Sequence, residues 1–490
     1  MSAGQRRAGF GSGAMWAMLD NLAQQALSFA IFIVLARFLL PEHFGLLAIA
    51  HLVLGALRQI VFDAIAMPAL RAPAPDDALY SRTFRHCAAV GILCGGLVAA
   101  GAGPVAALYG QPELESVLRW MSVAVVCVGC ARAYEARLAR QMAFRVLAVR
   151  SIVSVSIGGL VGILLALRGH GVMALVAQQV VGAVLALALL VGQSRWWPRL
   201  RDEGGARPRN RREIAQVGFT GVTGFLTTHG DILLVSILLG SHATGLYNFA
   251  KRITSAVYLV VGSSMIKVAM TAFADAVREG PAALRAAYVR VLGVTLFVML
   301  PVLAGLGALA SPLIAAVFGP VWAPAAPLVA VLGVLHVMLA IHQTNDYLLF
   351  AVGRRRVPVL RGLAQVAAAG LFAWFAAGQG VLGVSFAFVA ASVLVWPWTQ
   401  RAAGRPLESG VRALAGALKT PVLATAAMLG AVLPLAYYGA AAISPAGVVA
   451  AGAVAGALCY FLVYLLVARL SRGSYNAFGE LQRLRRAAGR

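Results

Sequence analysis

Apolar stretches of about 20 residues recur along the whole chain, and each is long enough to cross a hydrocarbon core as a helix. Hydrophobic residues make up 61% of the chain and charged residues only 12%, whereas a soluble domain has about 45–50% and about 25%. The stretches lack the strict alternation that is typical of membrane β-strands. The sequence therefore predicts an all-α, polytopic membrane protein.

The apolar stretches number about fourteen. The predicted spans lie near 14–38, 43–67, 84–108, 114–134, 147–167, 172–192, 215–239, 244–271, 289–311, 325–351, 357–377, 381–399, 419–440 and 446–468. The connections between them are short, and they alternate between strongly basic and almost free of lysine and arginine. The positive-inside rule assigns the basic side to the cytoplasm of a bacterial inner membrane, which places both termini there.

The chain has a net charge of +24, from 41 Lys and Arg against 17 Asp and Glu, and the predicted topology accounts for it. In a soluble protein such a balance favours nucleic acid as a partner. Here the basic residues sit in short connections, so no nucleic-acid partner is expected. The basic connection at 193–213 and the tail at 469–490 are predicted to lie on anionic lipids.

A weak internal repeat suggests two halves. Residues 41–46 resemble 241–246, the start of the fifth span at 145–150 resembles that of the eleventh at 356–361, and 169–172 resembles 378–381. Such matches also arise among unrelated glycine turns. As a true repeat they predict an N-terminal six-helix lobe at 1–205, a C-terminal six-helix lobe at 206–410, and two further transmembrane helices with a basic cytoplasmic tail at 411–490. Lobes in one orientation commonly enclose a central cavity for transport.

Enzyme motifs are missing from the sequence. It has no Walker A, H-E-x-x-H or G-x-S-x-G pattern, and the CxxC at 127–130 has neither a second pair nor a nearby histidine for a metal. We therefore expect neither an enzyme nor a cofactor or metal site. Energy, if used, would come from a proton or sodium gradient or from downstream consumption of the product.

Polar side chains at membrane depth are the candidate functional residues, because each is costly there unless it faces a cavity or a partner. Asp20, Gln24 and Gln25 in the first span either line a lumen or hold that helix to a neighbour. Arg58 in the second span offers a fork for an anionic group such as phosphate. Its alternatives are to reach the cytoplasmic surface or to pair with Asp63.

The later spans add further candidates. Lys251 and Arg252 lie about two turns into the eighth span, on the side that otherwise avoids positive charge, which favours contact with an anionic substrate. Asp231 in the seventh span could bind a coupling ion or pair with one of these cations. His342 and Asp346, spaced i,i+4 in the tenth span, form either a proton relay or a satisfied hydrogen-bonded pair.

Four segments carry a family resemblance. They are LARFLLPEHFGL at 35–46, Phe62-Asp63 followed by Ala69-Leu70, GHGVMALVAQQ at 169–179, and DILLVSILLG at 231–240 running into GLYNFA at 245–250. With them the chain resembles the polysaccharide transporters of the multidrug/oligosaccharidyl-lipid/polysaccharide exporter superfamily. The resemblance implies two six-helix lobes around a central cavity, and it adds Asn248 to the residues expected along the translocation path.

The resemblance also implies a function. It is the flipping of an undecaprenyl-pyrophosphate-linked oligosaccharide from the cytoplasmic to the periplasmic leaflet in exopolysaccharide or lipopolysaccharide biosynthesis. The expected partners are that lipid-linked oligosaccharide and the polymerase and glycosyltransferases of the same pathway. The alternative is a multidrug or cation antiporter of the same superfamily, which would need unpaired carboxylates at depth. Membrane-embedded polymerases usually carry a large periplasmic loop, for which this chain has no room.

Overall fold

The computed structural model describes residues 23–72, 75–199, 211–408, 411–439 and 443–470. This part of the chain is helical and contains no strand. We number its long helices α1 to α14. They are α1 (Ala23–Phe38), α2 (Pro41–Arg71), α3 (Asp77–Tyr109), α4 (Pro112–Arg140), α5 (Phe144–Leu167), α6 (Val172–Ser194), α7 (211–239), α8 (241–279), α9 (Pro281–Ala308), α10 (Ala326–Ala351), α11 (Arg356–Ala376), α12 (Gly380–Leu407), α13 (Val411–Tyr438) and α14 (Pro445–Leu470). A short helix, Ala310–Val317, follows α9.

These helices confirm the predicted all-α membrane protein. Eleven segments of the described chain are long and apolar enough to cross a membrane. Two of them, Gln216–Leu259 and Arg356–Leu407, each contain two helices that meet at a glycine with positive φ, Gly240 and Gly380. Together with the shorter α1 they account for fourteen spans.

Local chemistry sets several helix ends. The side chain of Asp76 accepts a hydrogen bond of 2.8 Å from the N–H of Leu79 and caps the start of α3. The same helix ends at Gly110, which has a left-handed backbone. Pro112 then begins α4 at a position where a missing N–H costs nothing. Polar connections thus stop one span and start the next within a few residues.

The chain forms two compact units, residues 1–245 and 246–490. In the first unit, Tyr80, Tyr134 and Trp196 pack edge to face, with ring centroids 5.2 to 6.3 Å apart. In the second, Phe249 stacks on the fully buried Trp322 at 4.1 Å. The predicted lobes at 1–205 and 206–410 were defined by the internal repeat, whereas the two compact units are defined by contacts. The lobes therefore stay a prediction.

The starts of α2 and α8 touch each other through backbone, in a reciprocal way. A Cβ atom added at Gly45 would overlap the carbonyl oxygen of Ser241, and one added at Gly245 would overlap that of Pro41. Each glycine lies four residues after the carbonyl that its counterpart meets. Small residues allow such close approach between membrane helices, so the 41–46 and 241–246 match corresponds to a physical contact.

Candidate functional site

Arg58 lies in a stretch of α2 where the helix widens. Residues Leu57–Phe62 form a π-helix, whose last hydrogen bond joins the N–H of Asp63 to the carbonyl oxygen of Arg58. Turns of this kind are rare and are frequently found at functional sites. The side chain of Arg58 is exposed, whereas Phe62 at the end of the same turn is fully buried.

The wide turn is packed closely by neighbouring helices of the first unit. A Cβ added at Gly221 of α7 would lie 2.6 Å from the carbonyl oxygen of Gln59 and 3.0 Å from the Cα of Ile60. On another side, a Cβ added at Gly129 of α4 would lie 3.3 Å from the ring of Phe62. These contacts leave little room for the backbone around Arg58 to move.

Next to this turn is a set of charged groups that we call the ion network. It consists of Asp63, Arg132, Glu135 and Arg150. Arg132 donates to both Asp63 and Glu135, and Arg150 donates to the other oxygen of Glu135 at 2.5 Å. The positive charge of Arg58 also acts on Glu135. Together with Arg58, the ion network comprises three cations and two acids, so one positive charge is in surplus among these described side chains.

The ion network differs from the sequence-based alternatives for Arg58 and Asp63. Asp63 pairs with Arg132, which is 69 residues away on α4, and not with Arg58. Sequence reasoning missed Arg132 and Glu135 because it ended the fourth span near residue 134, whereas α4 continues to Arg140. A signal was available: Glu135 is the only acid in the basic run from Arg132 to Arg150.

The remaining candidates of the first unit lie on α1 and α7. Gln24 is half-buried and Gln25 is exposed. Asp231 is half-buried, and its carboxylate accepts a hydrogen bond of 2.9 Å from the N–H of Ile232. Asp20 lies outside the described residues. The structure therefore places these side chains on two different helices, α1 and α7.

In the second unit, three candidates share the start of α8. Asn248, Lys251 and Arg252 are all half-buried. The hydroxyl of Thr254 donates to the carbonyl oxygen of Lys251 at 3.2 Å, and that of Ser255 to the carbonyl oxygen of Arg252 at 3.4 Å. The hydroxyl groups next to the two basic residues thus bond to backbone carbonyl oxygens of the same helix.

His342 and Asp346 on α10 have separate partners. Asp346 accepts two hydrogen bonds from Arg361, at 2.8 and 3.3 Å. One ring nitrogen of His342 lies 3.2 Å from both the carbonyl and the hydroxyl oxygen of Ser392, and the other lies 3.5 Å from the hydroxyl of Thr399. The i,i+4 spacing therefore does not produce a direct bond between the two side chains in the described structure.

A set of neutral polar groups includes Asn345, the neighbour of Asp346 on α10. Tyr288 donates to Asn345 at 2.8 Å, and the amide of Asn345 donates to Gln400 at 3.0 Å. All three side chains are buried. Arg361 also donates to Gln365 at 2.6 Å. Each unit therefore contains polar side chains at depth, and among the described residues Asp346 is paired with one cation, Arg361.

A single arrangement underlies both ion pairs. Glu135 and Arg150 are 15 residues apart, and so are Asp346 and Arg361. Between the partners of each pair the chain turns at one residue with positive φ, Met142 in the first unit and Gly353 in the second. The match between the starts of the fifth and eleventh spans thus has a physical basis in equivalent salt bridges.

Comparison with known proteins provides the family context. A family model described as "Polysaccharide biosynthesis protein" matches residues 34–327. The chain is 29% identical to the succinoglycan biosynthesis transport protein ExoT of Rhizobium meliloti (strain 1021), over 73% of this chain and 70% of that protein. It is 27% identical to the teichuronic acid biosynthesis protein TuaB of Bacillus subtilis (strain 168), over 48% and 49% respectively.

Two solved structures share the fold. The lipid II flippase MurJ in an inward closed conformation has a TM-score of 0.74 at 12% identity, covering 94% of this chain and all of that one. An inward-facing multidrug resistance MATE transporter of the MOP superfamily has a TM-score of 0.63 at 13% identity, covering 80% of this chain and 99% of that one. At these identities the likeness concerns architecture alone.

Proposed function

This chain belongs to the polysaccharide biosynthesis protein family, and from that premise we propose that it flips a lipid-linked oligosaccharide across the bacterial inner membrane. The repeat unit would be carried on undecaprenyl pyrophosphate and would move from the cytoplasmic to the periplasmic leaflet. The relative from Rhizobium meliloti is named as a transport protein for succinoglycan biosynthesis, which supports transport of a saccharide precursor. The chain is thus a transporter and not an enzyme.

The observation that carries the proposal is the surplus cation. Arg58 is exposed on a tightly packed wide turn, while Asp63 and Glu135 nearby are engaged by Arg132 and Arg150. A cation at membrane depth is costly and marks a substrate path by default. A guanidinium binds phosphate through two parallel hydrogen bonds. Arg58 is therefore proposed to bind the anionic pyrophosphate of the carrier.

The other candidates take supporting roles in this proposal. Lys251, Arg252 and Asn248 on α8 would meet the headgroup or acidic sugars during passage, together with Asp20, Gln24, Gln25 and Asp231. A proton or sodium gradient would couple through Asp231, His342 or Asp346. No group of metal-ligating side chains is found in the described part of the chain. The termini are proposed to be cytoplasmic, facing the pathway's glycosyltransferases and polymerase.

Deletion of the gene tests the proposal directly. Lipid-linked intermediates would be extracted from each leaflet, and surface polysaccharide would be measured in parallel. We expect one lipid-linked repeat unit to accumulate on the cytoplasmic side while surface polysaccharide is lost. Complementation with alanine at Arg58, Lys251 and Arg252 together should not restore export. Normal intermediates combined with increased sensitivity to cationic compounds would instead indicate a drug exporter.

A further inference from the structure

The ion network contains more cations than a single phosphate contact requires, which raises the question of what Arg132 and Arg150 do. Neither is exposed as Arg58 is: their side chains are 16% and 18% exposed. Arg132 bridges Asp63 and Glu135, and Arg150 pairs with the second carboxylate oxygen of Glu135. Both therefore serve as partners for acids rather than as groups that reach outward.

Among the described residues, the two acids of the ion network are the carboxylates placed to neutralise Arg58. Asp63 is one wide turn further along α2, joined to Arg58 through the last π-helical hydrogen bond. The positive charge of Arg58 already interacts electrostatically with the Glu135 carboxylate. A carboxylate released from its present partner would gain a charge-assisted hydrogen bond by turning to the neighbouring guanidinium. Arg58 would then have less charge and fewer N–H donors for a ligand.

We infer that Arg132 and Arg150 are positioning residues: they occupy Asp63 and Glu135 and thereby keep Arg58 available for the anionic headgroup of the substrate. This inference rests on the proposed function and deepens it. It concerns residues that do not touch the substrate themselves. Its distinctive consequence is that the two partners of one ion pair have opposite effects on binding.

The test compares Arg132→Gln with Asp63→Asn, which break the same ion pair. The probe is undecaprenyl pyrophosphate without sugar, added to the purified full chain in detergent, with binding measured by native mass spectrometry. Arg132→Gln frees an acid, and we expect it to weaken binding about tenfold, as loss of one charged hydrogen bond would. Asp63→Asn removes an acid, and we expect binding about threefold tighter.

Two further variants complete the design. The double variant Arg132→Gln with Asp63→Asn restores the surplus charge and should bind within about threefold of the unaltered chain. Arg119→Gln, on the same helix, removes one positive charge outside the ion network and serves as the matched control. Where Arg132→Gln does not accumulate in the membrane, Arg150→Gln with and without Glu135→Gln provides the same comparison on the other pair.

The outcomes separate the inference from the proposed function. Failure of the unaltered chain to bind the probe overturns the proposed function and the inference with it. Binding that is lost in Arg58→Gln but retained in Arg132→Gln overturns the inference alone. Equal weakening by Arg132→Gln and Asp63→Asn also overturns it, because it indicates that the pair only stabilises the fold. Opposite effects of the two variants, with rescue in the double, support the inference.

Discussion

The two units contain the same ion pair in different surroundings. Glu135 and Arg150 in the first unit belong to a set of charges with one cation to spare, and the spare cation is exposed. Asp346 and Arg361 in the second unit form a one-to-one pair that is enclosed, with side chains 13% and 15% exposed, and Arg361 also donates to the neutral Gln365. Since the pair occurs twice, it agrees with the predicted repeat. Among the described residues the surplus charge lies beside the Glu135–Arg150 copy, and it is this difference that we interpret as functional.

The largest effect is expected from breaking the enclosed pair. The side chains of Arg361 and Asp346 are 15% and 13% exposed, so removing one partner leaves an uncompensated buried charge. We expect Arg361→Ala to lower the free energy of unfolding by about 3–5 kcal/mol. Thermal unfolding of the purified protein measures this. The double variant Arg361→Met with Asp346→Leu should recover most of the loss, and no recovery would count against the enclosed-pair interpretation.

A milder change in the first unit should cost less. Replacing Glu135 by glutamine keeps its size and part of its hydrogen bonding, and Glu135 is 20% exposed against 13% for Asp346. We expect Glu135→Gln to lower the free energy of unfolding by about 1.5–3 kcal/mol, the range for hydrogen bonds to charged groups. The same thermal measurement applies. A loss larger than that of Arg361→Ala would contradict the contrast between the two surroundings.

The repeat also predicts matched effects at the reciprocal glycine contact. Gly45→Ala and Gly245→Ala should each lower the free energy of unfolding by about 1–3 kcal/mol, since the added methyl group has no space. Gly96→Ala is the control, because a Cβ there meets nothing within 4 Å. The melting temperatures of the three variants measure this, and only those of Gly45→Ala and Gly245→Ala should fall. Tolerance of alanine at either 45 or 245 would show that the contact is not reciprocal.

The smallest effect on stability is expected at Arg58. A change there should lower export while leaving the free energy of unfolding almost unaltered. Its side chain is exposed, so Arg58→Gln should change the free energy of unfolding by no more than about 0.5 kcal/mol. Export should nevertheless fall. The readouts are the melting temperature and the restoration of surface polysaccharide in a deletion strain. Full restoration of surface polysaccharide by Arg58→Gln would show that the surplus cation of the first unit is not needed for export.

Much of the architecture could be predicted from local patterns. Apolar length identified the spans, and the similarity of 41–46 to 241–246, which suggested a repeat, joins two segments that the structure places in contact. The partner of Asp63 could not be predicted in this way. Local spacing offered Arg58, five residues away, whereas the observed partner is on another helix. The π-helical turn could not be predicted either, because its close neighbours Gly221 and Gly129 lie far along the chain.

The reciprocal contact between the starts of α2 and α8 has a consequence for the entropy of folding. Its closest atoms belong to Gly45, Gly245 and the carbonyl groups of Pro41 and Ser241, while the neighbouring side chains of Glu42 and His242, 3.5 Å apart, are more than half exposed. Ordering a long side chain can cost up to about 2 kcal/mol in conformational entropy. The closest atoms of this contact belong to the backbone, so their approach orders no long side chain.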